Sequence, residues 1–294
     1  MSVFRPDWEA IASELPQLTI RSAVPVGEGW MSTAWRVNDE LVFKFPKRPD
    51  VWPELDCEIA FLHYARSQLP VPVPEHLHQV RESAGARHGY VVMRNFPGRG
   101  IEPATLSAQE RSVLARVLAG FLRALHDISP APVASILPRH DEYAAALESR
   151  CFADTHVAPH LSRTQRSRLI HEYERHLGDP MNFDGNNRIV HADLACDHIF
   201  HIGQSITGVL DWGDVSLGDP DHDFGYFYEE LGESFIRDMA LHYGHTDPDR
   251  LVSKARHFVI ANQVGTIVYG ADYGLPGDVE RSWETLRSLL SEGT

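Results

Sequence analysis

At 294 residues the chain is too long for one small domain and short for three, which leaves two lobes or one large fold. With 43% hydrophobic and 23% charged residues it lies near the soluble globular average, so a disordered or low-complexity chain is excluded. The formal net charge of −14 argues against nucleic-acid or anionic-membrane partners and favours a cationic ligand, although such acidity also serves solubility alone.

The opening segment MSVFRPDWEAIASELP has neither a basic-then-apolar run nor a small-residue cleavage site, and no stretch approaches a membrane span, so a cytoplasmic location is expected. Residues 18–45 read as a strand, a glycine loop and a hairpin, with a turn at Asn38-Asp39 before the apolar strand LVFKF. Over residues 53–68 the apolar positions Leu55, Ile59, Leu62 and Ala65 predict an amphipathic helix that follows three strands. The segment RHGYVVMRNFPGRG predicts a buried strand ending in a Pro-Gly turn, and the boundary between a first lobe, 1–97, and a second, 98–294, is placed there. Ser107, with Glu110 three residues on, predicts a capped helix through LSAQERSVLARVLAGFLRALHDI. Beyond about residue 140 the chain reads as mainly helical, except for a β-rich stretch over 188–211 in which HIFHI and ITGVLDW meet at Gly203-Gln204. Cys57, Cys151 and Cys196, odd in number and irregularly spaced, read as free thiols in a reducing compartment.

Five features carry chemistry, and they stand in a fixed order. Gly27-Glu28-Gly29-Trp30-Met31-Ser32 lies between strands, where small residues let backbone N–H groups approach phosphates, or where a hairpin turn needs glycine at positive φ. Lys44 is a cation inside an apolar strand, with Glu58 fourteen residues later on the helix to compensate it; the alternative is an edge-strand lysine and a solvated glutamate. His191-Ala192-Asp193 closes an apolar strand, so Asp193 can accept or orient a hydroxyl proton. Asp211 ends the next apolar strand and offers the hard oxygen that suits Mg²⁺ on a triphosphate. The acidic turn GDPDHDF opens a helix, where Asp219 and Asp221 read as capping residues.

This order of glycine loop, strand lysine, helix glutamate, His-x-Asp loop and Asp-x-Gly turn resembles the kinase-like aminoglycoside phosphotransferase family over about residues 20–230. HADLACDHIF, ITGVLDWGD and GDPDHDF are similar in particular to the 2''-phosphotransferase branch, with macrolide phosphotransferases next. The resemblance implies an α+β, bilobal protein-kinase-like fold with a small β-rich first lobe that binds nucleotide and a larger, mainly helical second lobe. It implies Mg²⁺ and ATP or GTP as phosphoryl donor, and it assigns Lys44, held by Glu58, to the α and β phosphates, with Gly27, Gly29 and Ser32 over them. Met93, Asn95 and Phe96 would lie at the base, Asp193 would be the catalytic base or hydroxyl-orienting group, and Asp211 the principal metal ligand. His191 is expected to order the loop, with a general-base or zinc role competing, but no zinc-site spacing such as H-E-x-x-H occurs.

Two positions depart from related kinases: His198 stands seven residues after His191 where asparagine is usual and is the poorer Mg²⁺ ligand, and Ser32 replaces a third glycine. The few residues between the Asp211 turn and GDPDHDF leave no room for an activation loop, so the acceptor should be small. Asp193, Asp197, Glu229, Glu230 and Glu233 are expected to face it, the last three on one helix, GYFYEELGESF, beside Tyr226 and Tyr228. A solvated helix face is the other reading of those glutamates. An aminoglycoside kinase, with a role in antibiotic resistance, is the leading expectation; a kinase of a macrolide or amino-sugar metabolite and a nucleotide-binding pseudokinase are the others. A monomer is expected.

Overall fold

The computed structural model describes residues 4–184, 187–270 and 276–291. In chain order the elements of the first hundred residues are α1 (Trp8–Glu14), β1 (Ala23–Glu28), β2 (Ser32–Val37), β3 (Leu41–Pro46), α2 (Trp52–Ala65), β4 (His76–Val80), β5 (Tyr90–Arg94) and β6 (Arg99–Gly100). There follow α3 (Ala108–Asp127), α4 (Glu142–Phe152), α5 (Arg163–Gly178), β7 (Arg188–Val190), β8 (Ile199–Ile202), β9 (Ser205–Val209) and β10 (Ser216–Gly218). The chain closes with α6 (Gly225–Leu231), α7 (Glu233–Tyr243), α8 (Pro248–Tyr269) and α9 (Pro276–Leu289). The architecture is the expected α+β one, and no helix among the described residues is long and apolar enough to cross a membrane.

Contacts divide the chain into two compact units, one of Met1–Ile101 with Asp197–Asp214, the other of Glu102–Cys196 with Val215–Thr294. The sequence reading drew a single boundary after residue 97; by contacts the first unit runs on to Ile101 and takes in 197–214, because β8 pairs with β6 and with β9.

In the first unit β1 to β5 form an antiparallel sheet in the order β1-β2-β3-β5-β4. Asn38 and Asp39 both adopt positive φ, 54° and 60°, the backbone that a tight hairpin between twisted strands needs and that these two residue types tolerate best. Phe43, Phe45 and Tyr90 are fully buried on one face of the sheet, and α1 closes it by setting Trp8 edge-on to Phe43, with ring centroids 5.5 Å apart. On α2 the residues Trp52, Leu55, Phe61, Leu62 and Ala65 are buried, and Glu58 lies among them. The expected strand at 90–94 and the two strands meeting at Gly203 are present.

In the second unit, Ser107 caps α3 as the sequence predicts, its hydroxyl accepting from the Glu110 N–H while the Glu110 carboxylate accepts from the Ser107 N–H. Short strands β7 and β10 pair antiparallel, and a core of Leu169, Tyr173, Ile260, Val264, Leu286 and Leu290 joins α5, α8 and α9.

Two glycines should respond in opposite directions to alanine. Gly98 has φ +99°, and a Cβ there would lie 2.2 Å from the His201 carbonyl oxygen, so Gly98→Ala is expected to destabilise by about 2 kcal/mol. Gly120, inside α3 with nothing within 4 Å of a built Cβ, should gain about 0.5–1 kcal/mol as Gly120→Ala. Urea midpoints of the two variants against the parent check both signs.

Candidate active site

The first unit carries a charged cluster that its own strands assemble. Lys44 lies on β3, between β2 and β5, and its Nζ is 3.2 Å from Glu58 Oε2 and 3.4 Å from Asp211 Oδ1. The side chain of Glu58 is 2% exposed, so the reading of a solvated glutamate is set aside, and a lysine between two neighbouring strands is not an edge residue. Burial works against the carboxylate, but the Lys44 charge and the His76 imidazole, 3.4 Å from Oε1, outweigh it and hold the group down to about 2. Burial likewise opposes the lysine charge, and Glu58 and Asp211 together raise its pKa.

Asp211 reaches this cluster because its backbone turns back at the end of β9. It has φ 58°, the left-handed region that a non-glycine residue enters only when its surroundings hold it there. Trp212 supplies the hold: its ring is fully buried 5.4 Å from that of Phe61 on α2, and its Nε1–H donates to the Val209 carbonyl. Asp211 remains 49% exposed, with Oδ2 3.9 Å from His198 Nε2; His198 is also 3.8 Å from the exposed Asp197. A half-exposed carboxylate beside the lysine is a donor that fits Mg²⁺, and the imidazole next to it is a poorer one.

The glycine loop lies at the start of the sheet. Neither Gly27 nor Gly29 is at positive φ, so the hairpin-turn explanation of these glycines fails. A Cβ on either would meet nothing nearer than 3.7 Å within the protein. Glycine is thus not required by the fold at either position, as expected if the requirement comes from a ligand above the backbone. Ser32 is buried and its Oγ has no partner in the structure. Met93 is buried on β5, the Asn95 N–H donates to the Glu40 carbonyl at 2.8 Å, and the Phe96 ring occupies the space that a Cβ on Gly208 would need.

In the second unit, the loop after β7 is held from below. The Asp223 carboxylate accepts from the N–H groups of His191 at 3.0 Å and Ala192 at 2.8 Å, and Ala192 has φ +67°. Two successive N–H groups converging on one carboxylate form an anion nest, here filled by the protein itself. His191 is fully buried, and its Nδ1 accepts from the Asp193 N–H at 3.3 Å. Nothing in the sequence points Asp223 to this task; its local signal is a carboxylate beside Phe224 in an acidic turn. Asp219 caps the turn as expected, its side chain accepting from the Asp221 N–H, and both aspartates also pair with the buried Lys254.

The three glutamates expected on one helix do not share one. Gly232, at φ 86°, ends α6, and Glu233 begins α7 paired to Arg237 at 2.8 Å. Glu230 accepts from the Cys196 N–H at 2.8 Å. Glu229 faces a cavity of about 210 Å³ lined also by Glu142, His176, His222, Tyr226 and Asn262, with Ala192 of the Asp193 loop in its wall. Burial first, and then the Glu230 charge, push the Glu229 carboxyl up to about 7 against a 3.0 Å bond from Gln263. Burial, followed by the charge and hydrogen bond of Asp193, raises the Tyr226 hydroxyl, which therefore stays protonated and donates to Asp193.

A five-stranded sheet carrying a glycine loop and a buried Lys–Glu pair, with an anchored His-x-Asp loop in a helical unit, defines a kinase-like phosphotransferase. The family model described as the phosphotransferase enzyme family matches residues 22–252, and the chain belongs to that family. Among solved structures it is similar to the GDP and kanamycin complex of APH(2'')-IIIa, at 27% identity over 96% of this chain and 97% of that one with a TM-score of 0.88. It is also similar to the GDP complex of wild-type aminoglycoside 2'-phosphotransferase-IIIa, at 26% identity, 97% of both chains and a TM-score of 0.89. A macrolide 2'-phosphotransferase type I shares the fold at 18% identity over the full length of both chains, with a TM-score of 0.72.

Removing Lys44 would leave Glu58 buried with only His76 near it. In the parent, the depressed Glu58 pKa contributes stability that is present above the unfolded carboxyl pKa of about 4.3 and lost as pH falls through about 2. Lys44→Met is therefore expected to lose about 3 kcal/mol at pH 7, and less at pH 4.5, where the carboxyl can protonate. Adding Glu58→Gln should restore most of the pH 7 loss; urea titrations at both pH values read it.

Proposed function

We propose that the protein moves the γ-phosphoryl group of ATP or GTP to a hydroxyl of an aminoglycoside. The observation that carries the acceptor side is the cavity beside the Asp193 loop, where the accessible carboxylate of Glu229 has an amide rather than a cation as its partner. A ring bearing an ammonium group supplies the missing charge, and Tyr226 and Asn262 supply polar contacts for its hydroxyls. Two of the similar structures above 25% identity, one a GDP and kanamycin complex and the other a GDP complex, support the same reading.

On this reading Lys44, fixed by Glu58, holds the α and β phosphates, and the N–H groups around Gly27, Gly29 and Ser32 lie over them. Met93, Asn95 and Phe96 receive the base. Asp211 would hold Mg²⁺, which would supply neutralisation of the triphosphate charge. Asp193 takes the acceptor hydroxyl proton as the new O–P bond forms; the bond between the γ phosphorus and its bridging oxygen breaks, and the nucleoside diphosphate leaves. His191 keeps the loop in place. The cytoplasm suits this chemistry, and modifying an antibiotic there would give resistance. An amino-sugar metabolite is the second reading, because the cavity is the size of a single sugar ring.

Coupled detection of ADP or GDP release over a panel of aminoglycosides, macrolides and amino sugars tests the reading, and turnover with no aminoglycoside would sink it. Asp193→Ala should lower kcat by roughly 10²–10⁴ while nucleotide binding is kept.

Glu229 adds a pH signature. Its carboxyl titrates at about 7, and an ammonium ligand favours the ionised form, so the acceptor KM should rise as pH falls through 7. Glu229→Gln should raise KM at pH 8 about tenfold and flatten that profile.

A further inference from the structure

The cavity beside the Asp193 loop is lined not only by Glu229 of α6 but also by His176, in the last turn of α5, and by His257 of α8. The two imidazoles are buried and lie face to face, with ring centroids 3.5 Å apart and planes within 9° of parallel. His176 meets Phe183 edge-on at 5.1 Å and His257 meets Tyr173 edge-on at 5.1 Å, so aromatic packing holds the pair from both sides. Packing alone does not ask for histidine. A phenylalanine could stack there with no polar atom to desolvate, whereas His257 Nδ1 is shut inside the protein with no hydrogen-bond partner, a burial that costs free energy. Nε2 is then the nitrogen of that ring left to meet whatever enters the cavity.

The surroundings keep both rings neutral and oppose any cation that a ligand brings to them. Burial first, then the charges of Lys254 and Arg175, hold His176 down to about 4 against the carboxylates of Glu142 and Asp179. Burial, with His176 and Arg175 behind it, holds His257 well below its ordinary value. Of the carboxylates lining the cavity, Glu142 is engaged with His222 at 3.8 Å, which leaves Glu229 for a positive charge. Gln263, the donor to Glu229, stands six residues beyond His257 on α8, about 9 Å along the helix axis. The carboxylate and the imidazoles therefore meet different substituents of one ring.

From this geometry we propose that His176 and His257 form a neutral subsite of the acceptor cavity that receives hydroxyl groups and rejects an ammonium group, so that the preferred ring carries a single ammonium, placed at Glu229. A neutral imidazole presents either a donor or an acceptor at Nε2 according to its tautomer, and a hydroxyl answers both because it donates and accepts. An ammonium group only donates. It would also bring an unpaired charge into a buried wall whose neighbours include Lys254 and Arg175. Rejection of this kind sorts acceptors by the position of their amino groups, which a negatively charged surface cannot do.

The proposal rests on the cavity being the acceptor site, and the experiment separates the two. Acceptors are compared in pairs that differ by a hydroxyl or an amine at one ring carbon, and for at least one carbon the parent should favour the hydroxyl compound roughly 10- to 100-fold in kcat/KM. His257→Phe and His176→Phe each keep a stacked ring and remove its nitrogens. Either should raise KM for that hydroxyl compound roughly tenfold, with kcat within about threefold, and move the amine compound by less than about threefold. His257→Gln, which keeps a donor and an acceptor, should recover to within about threefold of the parent. A purely structural pair would lower the melting temperature and move both compounds alike, and a parent without the subsite would take both alike at every carbon; either result overturns the proposal. Should the parent turn over no acceptor, the functional reading fails by itself, and NMR of the imidazole C–H signals, assigned with the two phenylalanine variants, decides with glucosamine as the probe. The His176 and His257 signals should move on titration; signals that stay in place at every concentration overturn the subsite.

Discussion

A lysine on an inner strand of a sheet keeps its charge only if an anion meets it inside, and Glu58 is that anion. The need for it dictates much of the first unit. To bring a carboxylate to the Lys44 Nζ, α2 must expose Glu58 on the same face as Leu55 and Leu62, and His76 on β4 meets its other oxygen. The same lysine accounts for the left-handed turn at Asp211, because only a backbone turned there directs the aspartate to Nζ while Trp212 goes to Phe61. A cation that costs free energy on folding is thus arranged to attract a second carboxylate that the protein leaves half exposed. That surplus of negative charge beside a lysine is poorly matched in the free protein, and a metal with a polyphosphate would balance both groups.

In the second unit the same constraint is met with backbone dipoles. Asp223 and Glu230 each take N–H groups from the segment 191–196, so the loop bearing Asp193 is tied at His191, Ala192 and Cys196 by carboxylates from the chain that follows. Charge-assisted bonds of this kind are short and directional, which suits a loop that must hold a side chain to within a fraction of an ångström. Asp193 takes a hydrogen bond from Tyr226, a neutral donor. On the proposed function, an acid that accepts the acceptor's proton is better served by such a partner than by a cation.

The elements that the sequence makes legible are those whose own residues decide them. The hairpin at Asn38-Asp39 follows from local backbone preference, and the start of α3 from a capping box closed within four residues. β4, HLHQV, escapes because it is polar and lies at the edge of the sheet, with no apolar alternation to read; β7 and β10 are three residues each, too short for any period. The chemical residues Lys44, Glu58, Asp193 and Asp211 could be picked out because each is a charge in an apolar setting or at the end of an apolar strand. Asp223 could not, since the backbone groups that it holds lie 31 and 32 residues away. Gly232 was the costliest omission: read as part of one helix, GYFYEELGESF aligns three glutamates, whereas the glycine at φ 86° splits the segment in two.

That split changes what acidity means for acceptor recognition. A run of three glutamates in a chain of net charge −14 suggests a surface that counts positive charges. In the structure Glu230 serves the loop, Glu233 pairs with Arg237, and Glu142 lies 3.8 Å from His222, whose charge it supports against burial. Of the carboxylates lining the cavity, Glu229 is the one held by a neutral amide. On the proposed function, recognition inside the cavity would depend on where one ammonium group sits on a ring, more than on how many the acceptor carries. On the same reading the remaining negative charge would act at longer range: it would draw a polycation toward the protein, screened by salt, and so set how fast the acceptor arrives, leaving the choice among acceptors to Glu229 and its neighbours.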